Sequence, residues 1–156
     1  MFWEVSRVLL HPRCVNCHPP DEFPRQGDRH VIHDPPAVRG DATGRGVVAM
    51  QCRGCHQDRN LELARVPGAP DWHLAPLSMA WLGKSPRDIC LQISDPARNG
   101  GKSLAQIHAH LAGDALVAWG WKPGADRVPA PGSQQELAAL FQAWLDTGAV
   151  CPEAPP

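Results

Sequence analysis

The stretch Cys14-Val15-Asn16-Cys17-His18 decides how this chain is organised, because its pattern returns as Cys52-Arg53-Gly54-Cys55-His56. Each copy places two cysteines three positions apart, with a histidine directly after the second cysteine. We call residues 14–18 the first segment and residues 52–56 the second segment. Two copies in a chain of 156 residues are a specific signal, and the rest of the sequence is best examined outward from them.

C-x-x-C-H is the pattern through which c-type haem is attached to protein. Two thiols at this spacing reach the two vinyl groups on one edge of a porphyrin and form thioethers, and the following histidine can bind the iron from the proximal side. The sequence therefore predicts two haem c groups as iron cofactors. The predicted attachment residues are Cys14, Cys17, Cys52 and Cys55, and the predicted proximal iron ligands are His18 and His56.

Three other interpretations of the cysteines compete with haem attachment. Paired C-x-x-C knuckles hold structural zinc, but 34 residues separate Cys17 from Cys52, against about 15–20 in such sites. A thioredoxin-like redox pair requires a strand before it and a helix after it, and neither is evident in the flanking sequence. Disulfides between the pairs would leave His18 and His56 without a role.

Cys90 and Cys151 remain after the two segments are assigned. Two leftover cysteines in an exported protein predict a disulfide, because the compartment in which haem is attached also oxidises thiols. In the alternative, Cys90 is a small buried residue on its helix and Cys151 is a free thiol.

Composition limits the function classes. The chain has 15 Lys and Arg against 16 Asp and Glu, so it offers no basic field and we expect no nucleic-acid partner. No apolar run approaches the roughly 18 residues of a membrane helix, so we expect no membrane span. The start, Met1 to Glu4, lacks the basic and apolar regions of a secretory signal, and we expect Met1 to stand where an export signal has been removed.

The apolar periodicity predicts a mainly α fold rich in loops, with no strand of useful length. We expect helices over 2–12, from the Ser85 cap to Ser94, from the Ser103 cap onward, and over 133–147. Together with the two segments, this predicts a small helical, cytochrome c-like fold organised around two covalently attached haems. It forms one domain, residues 1–156, with a first haem part over about 1–46 and a second haem part with the C-terminal helices over about 47–156.

Each predicted iron has a sixth position to fill. His33 precedes the rigid Asp34-Pro35-Pro36 in a Pro-rich loop, which makes it the preferred distal ligand of the first haem, although His30 in the same loop remains open. For the second haem, Met79 lies in a loop flanked by tryptophans. Alternatively, a helix offers His108 or His110, of which His108 falls within the apolar stripe.

Several stretches beyond the two segments resemble a group of exported bacterial dihaem cytochrome c-like proteins. The stretches that carry the resemblance are Leu10–Pro19, Met79–Trp81, Asn99–Gly101, Trp119–Gly124 and Gly148–Pro152. The group has a His at the position of His33, a Met at Met79 and a His at His110, while the position of His108 tends to be aliphatic. The resemblance therefore implies His110 rather than His108 as the helical ligand, and it implies a periplasmic location.

The function expected from these features is that of a periplasmic dihaem c-type cytochrome. It would carry single electrons between redox proteins such as a dehydrogenase and a terminal acceptor, without being an enzyme itself. A first alternative is a dihaem enzyme or sensor, peroxidase-like or gas-binding, with one open or weakly ligated haem. A second alternative is a zinc-stabilised interaction module.

Overall fold

The computed structural model describes residues 1–153. It is mainly α with long loops, as the sequence predicts. The last three residues of the predicted domain, 154–156, lie outside the described part. The α-helices in this part are α1 (Phe2–Leu9), α2 (Pro12–Val15), α3 (Pro86–Ser94), α4 (Leu104–Gly113), α5 (Ala115–Ala118) and α6 (Gln134–Asp146).

Two short antiparallel pairs interrupt the loops between α2 and α3. Strand β1 (Arg25–Gln26) pairs with β2 (Val31–Ile32), and β3 (Gly46–Val47) pairs with β4 (Met50–Gln51). Each strand has only two residues, so these pairs are tight turns closed by backbone hydrogen bonds rather than a sheet. Single 3₁₀ turns follow at Cys52–Gly54, Glu62–Ala64, Leu77–Met79 and Trp119–Trp121.

The hydrophobic core lies where α1, α3, α4 and α6 pack together. Phe2, Phe141 and Trp144 form edge-to-face aromatic pairs at its centre, with Trp144 ring centroids 4.9 Å from Phe2 and 5.0 Å from Phe141. Edge-to-face contacts between rings at this separation add stabilisation beyond the burial of apolar area. The helices therefore pack on their own side chains and present the loops at one side.

The predicted helix over 2–12 is two helices. Helix α1 ends at Leu9, and α2 begins at Pro12, whose fixed φ and missing N–H suit the first position of a new helix. His11 caps α2, because its Nδ1 accepts a hydrogen bond from the backbone N–H of Arg13 at 3.3 Å. The chain therefore changes direction just before the first segment, and this turn delivers Cys14.

The three other predicted helix starts are confirmed. Ser85, Ser103 and Ser133 each accept a hydrogen bond from the backbone N–H three residues later, so each is the N-cap of its helix. At the other end of α6, Gly148 takes a left-handed φ of 87°, and the N–H of Ala149 bonds to the carbonyl of Trp144 at 3.1 Å. A glycine at this place ends the helix and turns the chain towards Cys151.

Candidate functional site: the two C-x-x-C-H segments

The first segment is a tight turn that continues α2. The N–H of Cys17 bonds to the carbonyl of Cys14, and the N–H of His18 bonds to the carbonyl of Val15, both at 3.1 Å. These i, i+3 bonds wind the backbone so that the two thiols and the imidazole follow one another around a single turn. The segment is therefore a compact helical turn and not an extended strand.

His18 is fixed by two contacts from the loop before α3. Its Nδ1 lies 2.7 Å from the carbonyl oxygen of Met79, and its ring stacks on the indole of Trp81 with centroids 3.5 Å apart and planes within 6°. Because a carbonyl only accepts, Nδ1 carries the proton and Nε2 carries the lone pair. Burial lowers the pKa of His18 to about 3, and the nearby His110, Arg39 and His73 lower it as well, so the ring is neutral at pH 7.

The second segment has the same arrangement, but different residues hold its histidine. It follows β4 as a 3₁₀ turn, with the N–H of His56 bonded to the carbonyl of Cys52 at 2.9 Å. The Nδ1 of His56 lies 2.8 Å from the carbonyl of Pro67, and its ring stacks on Trp72 with centroids 4.6 Å apart and planes within 7°. Burial lowers the pKa of His56 too. Both segments therefore hold a neutral imidazole between a backbone carbonyl and a tryptophan face.

The four thiols of the segments are free, and they differ in environment. Burial raises the pKa of Cys14 to about 12 and that of Cys17 to about 11. Burial also raises the pKa of Cys52, whereas Cys55 is exposed to solvent. Because the thiolate is the reactive form, the raised pKa makes Cys14, Cys17 and Cys52 poorer nucleophiles, and Cys55 is the most exposed of the four thiols.

The residues predicted as distal ligands do not lie beside the segments for which the sequence favoured them. His33 lies against the second segment, with its ring centroid 5.8 Å from that of His56, although the sequence favoured it for the first. The Nδ1 of His33 lies 2.8 Å from the carbonyl of Pro35, which holds the ring in this direction. The loop that leaves the first segment therefore crosses to the second.

Two of the three candidates considered for the second segment, His110 and Met79, lie near the first. His110 is half exposed on α4, 3.4 Å from the carboxylate of Asp114, and it is among the groups that lower the pKa of His18. The pKa of Asp114 falls to about 2, mainly because of its hydrogen bond with His110. Met79 is buried in the helical core, and its backbone carbonyl rather than its sulfur contacts His18.

Two further histidines take structural positions. His108 is half-buried on α4, with its ring centroid 6.3 Å from that of Phe141 in the core. His30, the other imidazole of the Pro-rich loop, has its Nδ1 at 2.9 Å from the side-chain oxygen of Asn16. Neither residue faces the imidazole of either segment in a ring contact.

The predicted cofactors are contradicted by the arrangement of donors. Within residues 1–153 no group of three or more His, Cys, Asp and Glu side chains is placed so that it could hold a metal ion. His33 and His56 bring two imidazole rings together, and the Nδ1 atoms of these two residues, like that of His18, each lie against a backbone carbonyl. The prediction of two haem c irons is thereby corrected, and a zinc site with four protein donors fails on the same geometry.

The sequence did not indicate that Trp72 and Trp81 stack on the imidazoles of the two segments. Both lie in the stretch 72–81, which is recognisable as a loop flanked by tryptophans, but no periodicity relates either indole to a particular histidine. Arg39 was also missed as a buried group: it is 4% exposed and donates to the carbonyls of Ala75 and Asp21. Its Nε has no partner among the described residues.

Cys90 and Cys151 form a disulfide in the structure, the pair that the sequence singles out, with Cα atoms 5.6 Å apart. The bond joins α3 to the segment that follows α6. Arg87 adds a second connection between these parts, because its guanidinium donates to the carbonyl of Pro152 at 2.6 Å. The C-terminal segment is thus anchored to the helical core.

A cavity of about 520 Å³ opens beside the second segment. Its wall includes His56 and Trp72 together with the charged side chains of Arg45, Arg53 and Asp58. The cavity is large enough for a small organic molecule. The second segment therefore has an open space beside the His56 ring, on the side lined by Arg45, Arg53 and Asp58.

Comparison of the chain with protein-family models, with curated proteins and with solved structures finds no match. Among the helices of residues 1–153, none combines the length and the apolar character needed to cross a membrane.

Proposed function

We propose that this chain carries single electrons between redox partners in the periplasm, and that the two C-x-x-C-H segments are the parts of the chain that serve this function. The observation that carries this proposal is the repetition of one arrangement on two unrelated backbones. In each segment two thiols precede a histidine whose Nδ1–H is bonded to a carbonyl and whose ring lies flat on an indole. Two turns of different origin that share this geometry support a common chemical role.

The histidines contribute an oriented lone pair. Since Nδ1 donates to the carbonyl of Met79 or Pro67, Nε2 is the unprotonated nitrogen of each ring. Burial keeps the rings neutral by lowering the pKa of both His18 and His56. A neutral, fixed imidazole with this tautomer can act as an electron-pair donor through Nε2.

The periplasmic location is supported by the disulfide between Cys90 and Cys151, because disulfides persist in oxidising compartments. The resemblance to exported bacterial proteins supports the same location and implies soluble redox proteins as partners.

The test is a reductive titration of the protein after export to the periplasm of a bacterial host. We expect it to show two reversible one-electron equivalents. C14S/C17S and C52S/C55S should each lose one equivalent. C90A/C151A, the control that removes the other cysteine pair, should keep both. A titration without one-electron equivalents would overturn the proposal.

A second candidate function is a small-molecule enzyme or sensor that acts at the second segment. The cavity beside His56, with Arg45, Arg53 and Asp58 in its wall, favours it. Turnover of peroxide by the exported protein, abolished in H56A and kept in H18A, would support this candidate. An absence of turnover would leave the electron carrier alone.

A further inference from the structure

A groove of about 470 Å³ lies between α1 and α6, and none of the residues that line it belongs to either C-x-x-C-H segment. Its lining is largely apolar and includes the buried Val8 and Leu137 and the half-buried Leu140. The volume is in the range of sites that bind small organic molecules. The groove can therefore take up the apolar part of a small molecule, away from the chemistry of the two segments.

Three charged side chains line the same groove, and together they carry a net negative charge. Glu4 and Arg7 form an ion pair at 3.1 Å, so their charges offset each other. The third, Glu136, forms no ion pair with any other residue of the described part, 1–153. Because a negative wall attracts cations and repels anions, the groove favours a positively charged ligand.

The carboxylate of Glu136 differs from its counterparts at the other two serine-capped helices. In α3 and α4 the third residue after the cap serine returns a hydrogen bond to that serine's N–H, through Asp88 and Gln106. Ser133 caps α6 in the same way, since it accepts from the N–H of Glu136, yet the Glu136 side chain returns no such bond. Within residues 1–153 both carboxylate oxygens of Glu136 are thus left without a hydrogen-bond donor.

This carboxylate lies beside Gly132, which also lines the groove. Gly132 has a φ of +68°, and a Cβ there would lie 2.6 Å from Oε2 of Glu136. A residue without a side chain suits both the left-handed backbone and the close approach of the carboxylate. Gly132 and Glu136 together therefore provide a negatively charged acceptor at the edge of an apolar groove.

We propose that the groove between α1 and α6 binds a small organic cation with an apolar body, such as an aryl amidine. The apolar body packs on Val8, Leu137 and Leu140, and the N–H groups of the cation donate to the carboxylate of Glu136. A neutral molecule of the same shape lacks the charge-assisted hydrogen bonds, and an anion is repelled by Glu136. The site is independent of the electron-carrying function proposed for the two segments.

The probes for this site are benzamidine, benzamide and benzoate, which have nearly the same planar shape but are cationic, neutral and anionic at neutral pH. Each is titrated into the full-length, isotope-labelled chain with its Cys90–Cys151 disulfide intact, and the backbone amide shifts are followed by NMR. We expect benzamidine to bind about tenfold more tightly than benzamide, and benzoate to bind most weakly. Acetamidine, which has the same cation without the ring, should bind more weakly than benzamidine. The shifts should centre on Gly132, Glu136 and Leu140.

Substitutions in the chain give a second measurement. E136Q keeps the size of the side chain and removes its charge, so it should weaken benzamidine about tenfold and leave benzamide nearly unchanged. R7Q removes the positive charge that offsets Glu4, so it should strengthen benzamidine several-fold. E22Q is the matched control, because it makes the same change at an exposed glutamate outside the groove, and it should leave both affinities unchanged.

Equal affinities of the unmodified chain for benzamidine and benzamide would overturn the proposal, and this comparison does not depend on the folding of any variant. Amide shifts confined to residues outside the groove would also overturn it. So would an affinity for benzamidine that is the same in E136Q as in the unmodified chain.

Discussion

His18 connects the chemistry of a single side chain to the stability of the fold. Burial lowers its pKa from 6.5 to about 3, so the folded chain excludes a proton that the unfolded chain takes up. The unfolded state binds more protons between these two values, and the free energy of unfolding therefore falls as the pH is lowered from 6.5 towards 3. We predict that urea unfolding across this range shows the decline and that H18N shows a shallower one.

Other groups also lower the free energy of unfolding as the pH falls, so H18N should keep part of this pH dependence. Burial also lowers the pKa of His56, so the slope of H18N is reduced and not abolished. Asp114, with a pKa of about 2 against an ordinary 3.8, contributes only in the most acidic part of the range. An identical slope above pH 3.8 in H18N and in the unmodified chain would contradict the prediction.

The segment thiols give a second prediction for single residues. The folded environment raises the pKa of Cys17 from 9.0 to about 11 and that of Cys14 to about 12, and the thiolate is the form that reacts. We expect iodoacetamide to label the exposed Cys55 first. It should label Cys17 about a hundredfold more slowly than an ordinary thiol, because a pKa raised from 9.0 to about 11 lowers the fraction of thiolate by that factor.

The labelling is followed by peptide mass spectrometry, and the chain in urea is its control. Once unfolded, the four segment thiols lose their separate environments and should react at similar rates. Equal rates in the folded chain would show that the burial of Cys14 and Cys17 does not protect them.

At the scale of the elements, α3 depends on the cap at its start. The Oγ of Ser85 accepts a hydrogen bond from the N–H of Asp88 at 3.1 Å, and the Asp88 carboxylate accepts one from the N–H of Ser85 at 3.1 Å. Removing the serine oxygen leaves one of these donors without its partner. We predict that S85A lowers the free energy of unfolding by about 1 kcal/mol, measured by urea unfolding.

S85T is the matched control, because it keeps an oxygen in the same place. Its free energy of unfolding should stay close to that of the unmodified chain. A loss in S85T equal to that in S85A would assign the effect to packing at the helix start and not to the hydrogen bond.

The helices that begin at a serine cap could be predicted from the sequence, since a cap and an apolar period are local signals. Residues 19–84 could not be described in this way. Their order comes from contacts between distant positions, such as His33 with His56 and Gly44 with Leu74, which leave no period in the chain. For the same reason the sequence identified the two segments themselves but assigned His33 to the first segment rather than the second.

At the scale of the whole molecule, the disulfide between Cys90 and Cys151 closes a loop across 61 positions. The loop holds α4, α5 and α6, so reduction frees the C-terminal half of the core to explore more unfolded conformations. We predict that C90A/C151A loses about 2–4 kcal/mol in the free energy of unfolding, read from urea denaturation.

The reduced but otherwise unmodified chain is the comparison for this variant. Cys90 is fully buried, so truncation to Ala also removes core contacts that reduction alone leaves in place. The variant should therefore be somewhat less stable than the reduced chain. If neither reduction nor substitution moved the urea midpoint, the cross-link would not stabilise the native state.

The stacking of Trp72 and Trp81 on imidazoles gives the molecule a built-in optical signal. An indole that touches a histidine ring loses part of its fluorescence when that ring becomes protonated, whereas the ring partners of Trp144 are Phe2 and Phe141. Emission from this chain thus reports the ionisation of the two segments while the core indole supplies a steady background. The opening of either segment can then be followed by light, without any label.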